Sequence, residues 1–245
     1  MTSAAATCSL VIPARNEEAY LPRLLETVQE ARSRYVGAGK AVEVIVADNA
    51  STDSTAKVAA GYGCRVVRVE KRVIAAVRNG GAAIAEGEVL AFVDADTRIH
   101  PETFNAIDRA LAGDRVIGGA TGVTLERWSL GLAATYLFIM PMVVLTGMDT
   151  GVVFCRREDF GELGGYDERR LVAEDAAFLW RLKKLGRERG QKLARVTEAK
   201  AIVSTRKFDE HGDWHWFTQL IPRALPALLS ASAERRLADK YWYGR

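Results

Sequence analysis

Cysteine is scarce in this chain. Three of 245 residues, Cys8, Cys64 and Cys155, each sit in a separate apolar run, an odd count with no CxxC spacing. That pattern predicts reduced, buried thiols and a cytoplasmic setting. Excess charge of one sign is also missing: 34 Lys and Arg face 31 Asp and Glu, for a formal net charge of +3. The basic residues are dispersed and no aromatic–basic RNA motif occurs, which excludes nucleic acid as a partner. The first residues, MTSAAATCSLVIPARNEE, carry no positive leader region and soon turn charged, so a signal peptide is not expected. Internal repeats, low-complexity linkers and sharp compositional breaks are absent, so a single domain over 1–245 is expected.

Glycine-rich phosphate loops are absent as well. A dinucleotide site needs G-x-G-x-x-G after the first strand, and a P-loop needs GxxxxGK[ST]; the turn here is PARNEE, without glycine. One long uncharged run stands out, WSLGLAATYLFIMPMVVLTGM, Trp128 to Met148. Its length would allow a membrane span. Pro141, two glycines and several Ser and Thr residues favour a broken, buried segment instead.

The first half alternates between two periodicities. CSLVIP (Cys8–Pro13), VEVIVA (Val42–Ala47), CRVVRV (Cys64–Val69) and VLAFV (Val89–Val93) read as strands. Between them lie Leu21, Leu24, Leu25 and Val28 at helical spacing after Pro22, a segment capped by DNASTDST and stopped at Gly61, and an Ala-rich run from Val73 to Ala85. Strand–helix alternation with short links predicts an α/β fold with a mostly parallel central sheet flanked by helices. The second half is less regular. GGATGVTL and AKAIVST read as strands, GVVFCRRED as a strand running into a helix, GGYDE as a turn, and AEDAAFLWRLKKLG (Ala173–Gly186) as an amphipathic helix.

Ligands on parallel sheets lie beyond the C-terminal ends of the strands. PARNEE, DNAS and the DAD of VLAFVDADTRIHP all fall there. Asp94 and Asp96, one residue apart, repel each other unless a cation lies between them. With no glycine-rich loop to hold phosphate, a divalent metal held by carboxylates and bridging to phosphate oxygens is the remaining device.

VIPARNEEAYLPRLLETV, VADNASTDST, VRNGGAAIAEGEVLAFVDADT, GGYDE and AEDAAFLWRLKKLG together resemble the family 2 glycosyltransferases of the GT-A fold, over roughly Leu10 to Ser204. The resemblance implies an inverting, metal-dependent transferase using a nucleotide-diphosphate sugar (UDP- or GDP-linked), with Mg²⁺ or Mn²⁺ as cofactor. It implies a nucleotide-sugar half over 1–100, an acceptor and catalytic half over 101–210, and a helical tail over 211–245. Pro13, Ala14, Arg15 and Glu17 match the loop that borders the nucleotide. Asp48 matches the acid that contacts the base, with Asn49 beside it. Arg78 faces the donor, and Arg72 is an alternative partner for the diphosphate. Asp94, Ala95 and Asp96 match the DxD motif, Asp94 near the ribose and Asp96 on the metal, with His211 as a further metal ligand. Glu174 and Asp175 match the ED pair, Asp175 as catalytic base and Glu174 as its support.

Each element has a plainer reading. Asp94 and Asp96 suit a turn, Asp53 a helix cap, Glu174 and Asp175 the first turn of a helix, and His211 an aromatic cluster with Trp214, His215 and Trp216. The rival enzyme class, a sugar nucleotidyltransferase, would carry a G-x-G-T-R loop after the first strand. A rival outside catalysis is an inactive donor-binding or membrane scaffold, against which both DxD acids and Asp175 speak. The acceptor is a hydroxyl compound of unknown identity. The uncharged run, together with FTQLIPRALPALL and YWYGR in the tail, suits a lipid-linked acceptor and peripheral attachment to the inner face of the cell membrane. A buried helix or a homodimer contact is the alternative.

Overall fold

The computed structural model describes residues 7–36 and 40–220. Among these residues seven strands form one sheet in the order β3-β2-β1-β4-β6-β5-β7. They are β1 (Cys8–Ala14), β2 (Val42–Asp48), β3 (Arg65–Arg68), β4 (Val89–Phe92), β5 (Val116–Leu125), β6 (Val153–Arg156) and β7 (Lys192–Val203). The pairs β1–β2, β2–β3, β1–β4 and β5–β7 are parallel, and β6 runs antiparallel to both β4 and β5. The predicted α/β class and mostly parallel sheet are therefore observed.

The helices are α1 (Leu21–Arg34), α2 (Thr55–Gly61), α3 (Ile74–Ala83), α4 (Thr103–Leu111), α5 (Leu130–Thr146), α6 (Arg157–Glu162), α7 (Glu174–Glu188) and α8 (Arg206–His211), followed by one π-helical turn, Trp216–Leu220. Strand alternation divides the core. Leu10 and Ile12 of β1 pack with Leu21, Leu24, Leu25 and Val28 of α1 and with Phe104 and Ile107 of α4. Val11 points the other way, into a cluster with Ala75 and Ala82 of α3 and Phe178, Leu179 and Leu182 of α7. Two glycines permit close approach: a Cβ on Gly81 would stand 2.4 Å from Val11, and one on Gly119 2.0 Å from the Ala194 carbonyl oxygen. Cys8 and Cys155 are buried free thiols, while Cys64 is only half-buried.

Trp128–Met148 does not form a broken, buried segment. Most of it is one continuous helix, α5, with Pro141 inside and much of its length exposed. The Ser129 hydroxyl accepts from the Leu132 N–H at 3.3 Å, and Gly147 ends the helix at φ 71°. Ser129 and Gly147, read as breakers, are the caps. No described helix is long and apolar enough to cross a membrane. In the tail, only His211 to Leu220 lies within the described residues; the remainder of FTQLIPRALPALL and YWYGR falls outside them.

Candidate active site

The topology makes the site. Sequence order leads from β1 outward to β2 and β3, then returns to β4 on the other side of β1. Such a reversal opens a crevice at the strand C-termini, where two connections diverge. A cleft there is lined by Pro13, Ala14, Arg15 and Glu17 after β1, Asn49 after β2, and Asp94, Ala95 and Asp96 after β4. Ile74 and Val77 of α3, Leu171, Glu174 of α7, and Arg206 and Lys207 of α8 complete it.

The first two loops are stitched together. The Asn16 carboxamide oxygen accepts from the Thr52 N–H at 2.9 Å, the Thr55 hydroxyl from the Glu17 N–H at 2.8 Å, and the Glu18 carboxylate from the Ser54 N–H at 2.8 Å. The N-cap position of α2 is Ser54, not Asp53; the Asp53 carboxylate, one residue earlier, accepts from the Thr55 N–H at 2.9 Å and from the Glu18 N–H at 3.2 Å. Among the described residues, the non-glycine residues with left-handed backbone are Asn16 (φ 53°), Ala50 (φ 50°) and Ala173 (φ 56°). They fall in PARNEE, in DNAS and directly before Glu174. For an alanine this conformation costs roughly 1–2 kcal/mol, so the strain is concentrated in the segments that deliver the cleft residues.

Arg78 is the hub below the cleft. Its side chain is 3% exposed, yet it meets three carboxylates: Asp94 at 2.8 Å, Asp175 at 3.0 Å, and Glu174 in a close ion pair. The guanidinium also lies over the Tyr166 ring, 5.3 Å from its centroid. Tyr166 is buried, and its hydroxyl donates to Asp175 Oδ1 at 3.0 Å. Burial holds that phenol well above its usual pKa, so it stays a donor. Burial also lifts the Asp175 carboxyl well above the usual carboxylate range; Arg78 pulls it down, while Glu174 and Asp94 push with the burial. Glu174 lines the cleft, and Asp175 lies beside it against Tyr166 and Arg78.

The sequence-predicted residues divide accordingly. Pro13, Ala14, Arg15, Glu17, Asn49, Asp94, Ala95, Asp96 and Glu174 line one cleft; Arg78 pairs with its Asp94 and Glu174 carboxylates, and Asp175 joins the site through Arg78. Asp48 is buried and accepts from the Ser51 N–H at 3.3 Å. Asn49 donates to the Val69 and Lys71 carbonyls at 2.7 and 3.0 Å, tying the loop after β3 to the cleft. Arg72 is exposed and is not among the cleft-lining residues. His211 closes α8, its Nδ1 3.2 Å from the Lys207 carbonyl oxygen, and it too is outside the lining. Tyr166 and Arg206 escaped sequence reasoning. GGYDE reads as a turn and as one of the motifs of the resemblance, neither of which gives Tyr166 a role, and Arg206 follows the last strand in a stretch with no periodic pattern.

The carboxylates suit a divalent cation. Asp94 and Asp96 both line the cleft, with side chains 53% and 23% exposed. They are hard oxygen donors. Among the described residues no group of three or more His, Cys, Asp or Glu is gathered for a metal. Two carboxylates completed by ligand phosphates is the ordinary Mg²⁺ arrangement, whereas a cage built wholly of protein is not. Burial and the neighbouring Asp94 push the Asp96 carboxyl up to about 6, against the pull of Arg206.

The crevice at the topological switch point of this α/β sheet is lined by the acids Glu17, Asp94, Asp96 and Glu174 and by the cations Arg15, Arg206 and Lys207. This chain belongs to glycosyl transferase family 2, whose sequence model matches residues 9–144. It is 34% identical over 119 residues to validoxylamine A glucosyltransferase of Streptomyces hygroscopicus subsp. limoneus, covering 46% of this chain and 25% of that protein. The chain thus matches only about a quarter of that relative's length. Its fold resembles that of S. aureus TarS residues 1–349 in complex with UDP-GlcNAc, with a TM-score of 0.61 and 18% identity over 81% of this chain and 58% of the other. It also resembles the Pyrobaculum calidifontis mannosyltransferase PcManGT in complex with GDP-Man and Mn²⁺, with a TM-score of 0.60 and 21% identity over 78% and 54% of the two chains.

Proposed function

We propose that this protein transfers a sugar from a UDP- or GDP-linked donor to an acceptor hydroxyl, with inversion at the anomeric carbon. The observation that carries this reading is the joining of the DxD acid and the ED pair through one buried arginine, Arg78. Asp175 takes the proton of the acceptor hydroxyl as its oxygen attacks the anomeric carbon, and the bond to the diphosphate breaks on the opposite face. A raised pKa suits a group that must gain a proton near neutral pH. Arg78 and Tyr166 hold Asp175 through Oδ1. Glu174, on the same arginine, is the positioning partner. Asp94 and Asp96 would hold Mg²⁺ or Mn²⁺, which supplies positive charge to the leaving diphosphate. Arg15, which lines the cleft just after β1, would face the phosphates. The test is release of nucleoside diphosphate from UDP- and GDP-sugars with Mn²⁺ present or absent.

The exposed ridge of α5 supports a seat at the cytoplasmic face of a membrane and an apolar, lipid-linked acceptor. Leu130, Leu137 and Leu145 are 83%, 71% and 85% exposed, and Phe138, Met142 and Val144 continue the apolar face. Exposed Trp128 packs edge-on to Tyr136 at 5.3 Å, and exposed Trp214 reaches Phe217, which in turn meets Phe138. Lys183 donates to the Thr146 carbonyl at the end of the helix, while Arg195, 3.6 Å from the Met140 sulfur, is neutralised by its ion pair with buried Asp149 at 2.8 Å. Aromatic residues and a lysine beside an apolar helix suit an anionic interface. The protein is expected to float with anionic liposomes at low salt and to be partly released at high salt. Leu137→Glu with Leu145→Glu should abolish flotation. A wild-type protein that stays in the soluble fraction and sediments as a dimer would replace the membrane with a second copy on this face.

A further inference from the structure

The guanidinium of Arg206 occupies the place where a cation is wanted. Its Nη1 and Nη2 donate to the two carboxylate oxygens of Glu17 at 2.9 and 3.0 Å. Nη2 also forms an ion pair with Asp96 Oδ2 at 3.1 Å. The plane lies over the Tyr20 ring, 4.4 Å from its centroid. Arg206, Glu17 and Asp96 all line the cleft. The helix that carries this arginine, α8, has six residues, none of them buried. Beyond Arg206 its contacts include the ion pair of Asp209 with Arg127 and the packing of Phe208 and His211 on His215. A short helix without buried side chains belongs to the part of a fold that opens at low cost.

We propose that Arg206 is the resident counter-cation of Asp96 and competes with the divalent metal for that carboxylate. This rests on the reading of Asp96 as a metal-holding residue. A guanidinium and a divalent cation sharing one carboxylate within a few ångströms repel each other, and the half-buried setting weakens screening of that repulsion. Metal alone therefore meets an Asp96 that is already neutralised. Arg206 gives up the ion pair when a nucleoside diphosphate enters, because the phosphates offer both cations more negative charge than Asp96 does. The two binding events are coupled: nucleotide raises metal affinity, and by reciprocity metal raises nucleotide affinity. The bidentate grip on Glu17 keeps the arginine poised beside the cleft, a geometry that the single ammonium of lysine does not reproduce.

The measurement is Mn²⁺ binding, followed by the spectral signal of free Mn²⁺, without nucleotide and then with UDP. Arg206→Gln is expected to bind Mn²⁺ alone on the order of tenfold more tightly than wild type, the middle of the usual range for coupled sites. Arg206→Lys keeps the positive charge and is expected to gain much less. The enhancement of Mn²⁺ binding by UDP should be smaller in Arg206→Gln than in wild type. Wild-type Mn²⁺ affinity in Arg206→Gln, with UDP still enhancing binding in both, would overturn the competition while leaving the metal reading intact. Equal gains in the Gln and Lys variants would also overturn it, since loosening of α8 and not charge would then set the affinity. Absence of Mn²⁺ uptake by any of the three proteins, with or without UDP, would instead overturn the metal reading itself.

Discussion

Asp175→Asn is expected to bind donor as wild type does and to lose on the order of 10²–10⁴-fold in kcat, the usual contribution of a general base. The substitution preserves shape. Arg78 Nη1 and the Tyr166 hydroxyl both meet Oδ1 at 3.0 Å, and an asparagine oxygen accepts from both. What disappears is the group that takes the proton. The pH profile carries the same information. Burial raises the Asp175 pKa, and the base works only when deprotonated. Activity should therefore fall as pH drops through that raised value, at a higher pH than an ordinary carboxylate would give. In Asp175→Asn this acid limb should vanish from the residual rate. Glu174→Gln separates the two acids of the pair, because it leaves the base in place and should lower the rate less. A wild-type kcat in Asp175→Asn, with the loss appearing in Glu174→Gln, would move the base to Glu174.

Arg78→Met is expected to lose stability as well as activity. The guanidinium is 3% exposed, while the Glu174 and Asp175 side chains it pairs with are 12% and 19% exposed. Removing one partner of a buried ion pair leaves charge uncompensated, at a cost of about 3–5 kcal/mol. Asp94 is 53% exposed, so solvent screens its share and it adds little. Denaturant unfolding of wild type and Arg78→Met measures the loss. Adding Glu174→Gln and Asp175→Asn to Arg78→Met should restore part of it, because the orphaned acids are then neutral. A loss below about 1 kcal/mol would place Arg78 with ordinary surface pairs and remove it as the hub.

What the sequence made legible follows from how local each signal is. The strands β1 to β4 alternate with helices whose apolar spacing and punctuation are complete within a few residues, as at Pro22, DNASTDST and Gly61. Their order alone brings PARNEE, DNAS and DAD to one edge. The second half is written in longer-range contacts. Its last strand, β7, begins at Lys192, seven residues before the AKAIVST run that announced it, and pairs along β5, which lies far back in sequence. Between the two halves, α4 carries only a short apolar spacing, Phe104 and Ile107, within nine residues. Arg206 lies 189 residues from Glu17, so no local pattern reveals that pair. Tyr166 hides in a turn motif, and only the packing of α7 shows that its hydroxyl reaches Asp175. In the uncharged run, absence of charge does not mean burial: Ser129 and Gly147 cap a helix with much of its apolar surface exposed.

Nucleoside diphosphate release is the most direct test of the central claim, that this cleft transfers a sugar. The wild-type protein, mixed with UDP- and GDP-sugars, Mn²⁺ and a panel of water-soluble and lipid-linked hydroxyl acceptors, is expected to release UDP or GDP in step with glycosylated product. Release should depend on metal and on both Asp96 and Asp175. Donors that bind without turnover on any acceptor, or release that continues undiminished in Asp96→Ala and Asp175→Asn, would contradict the account.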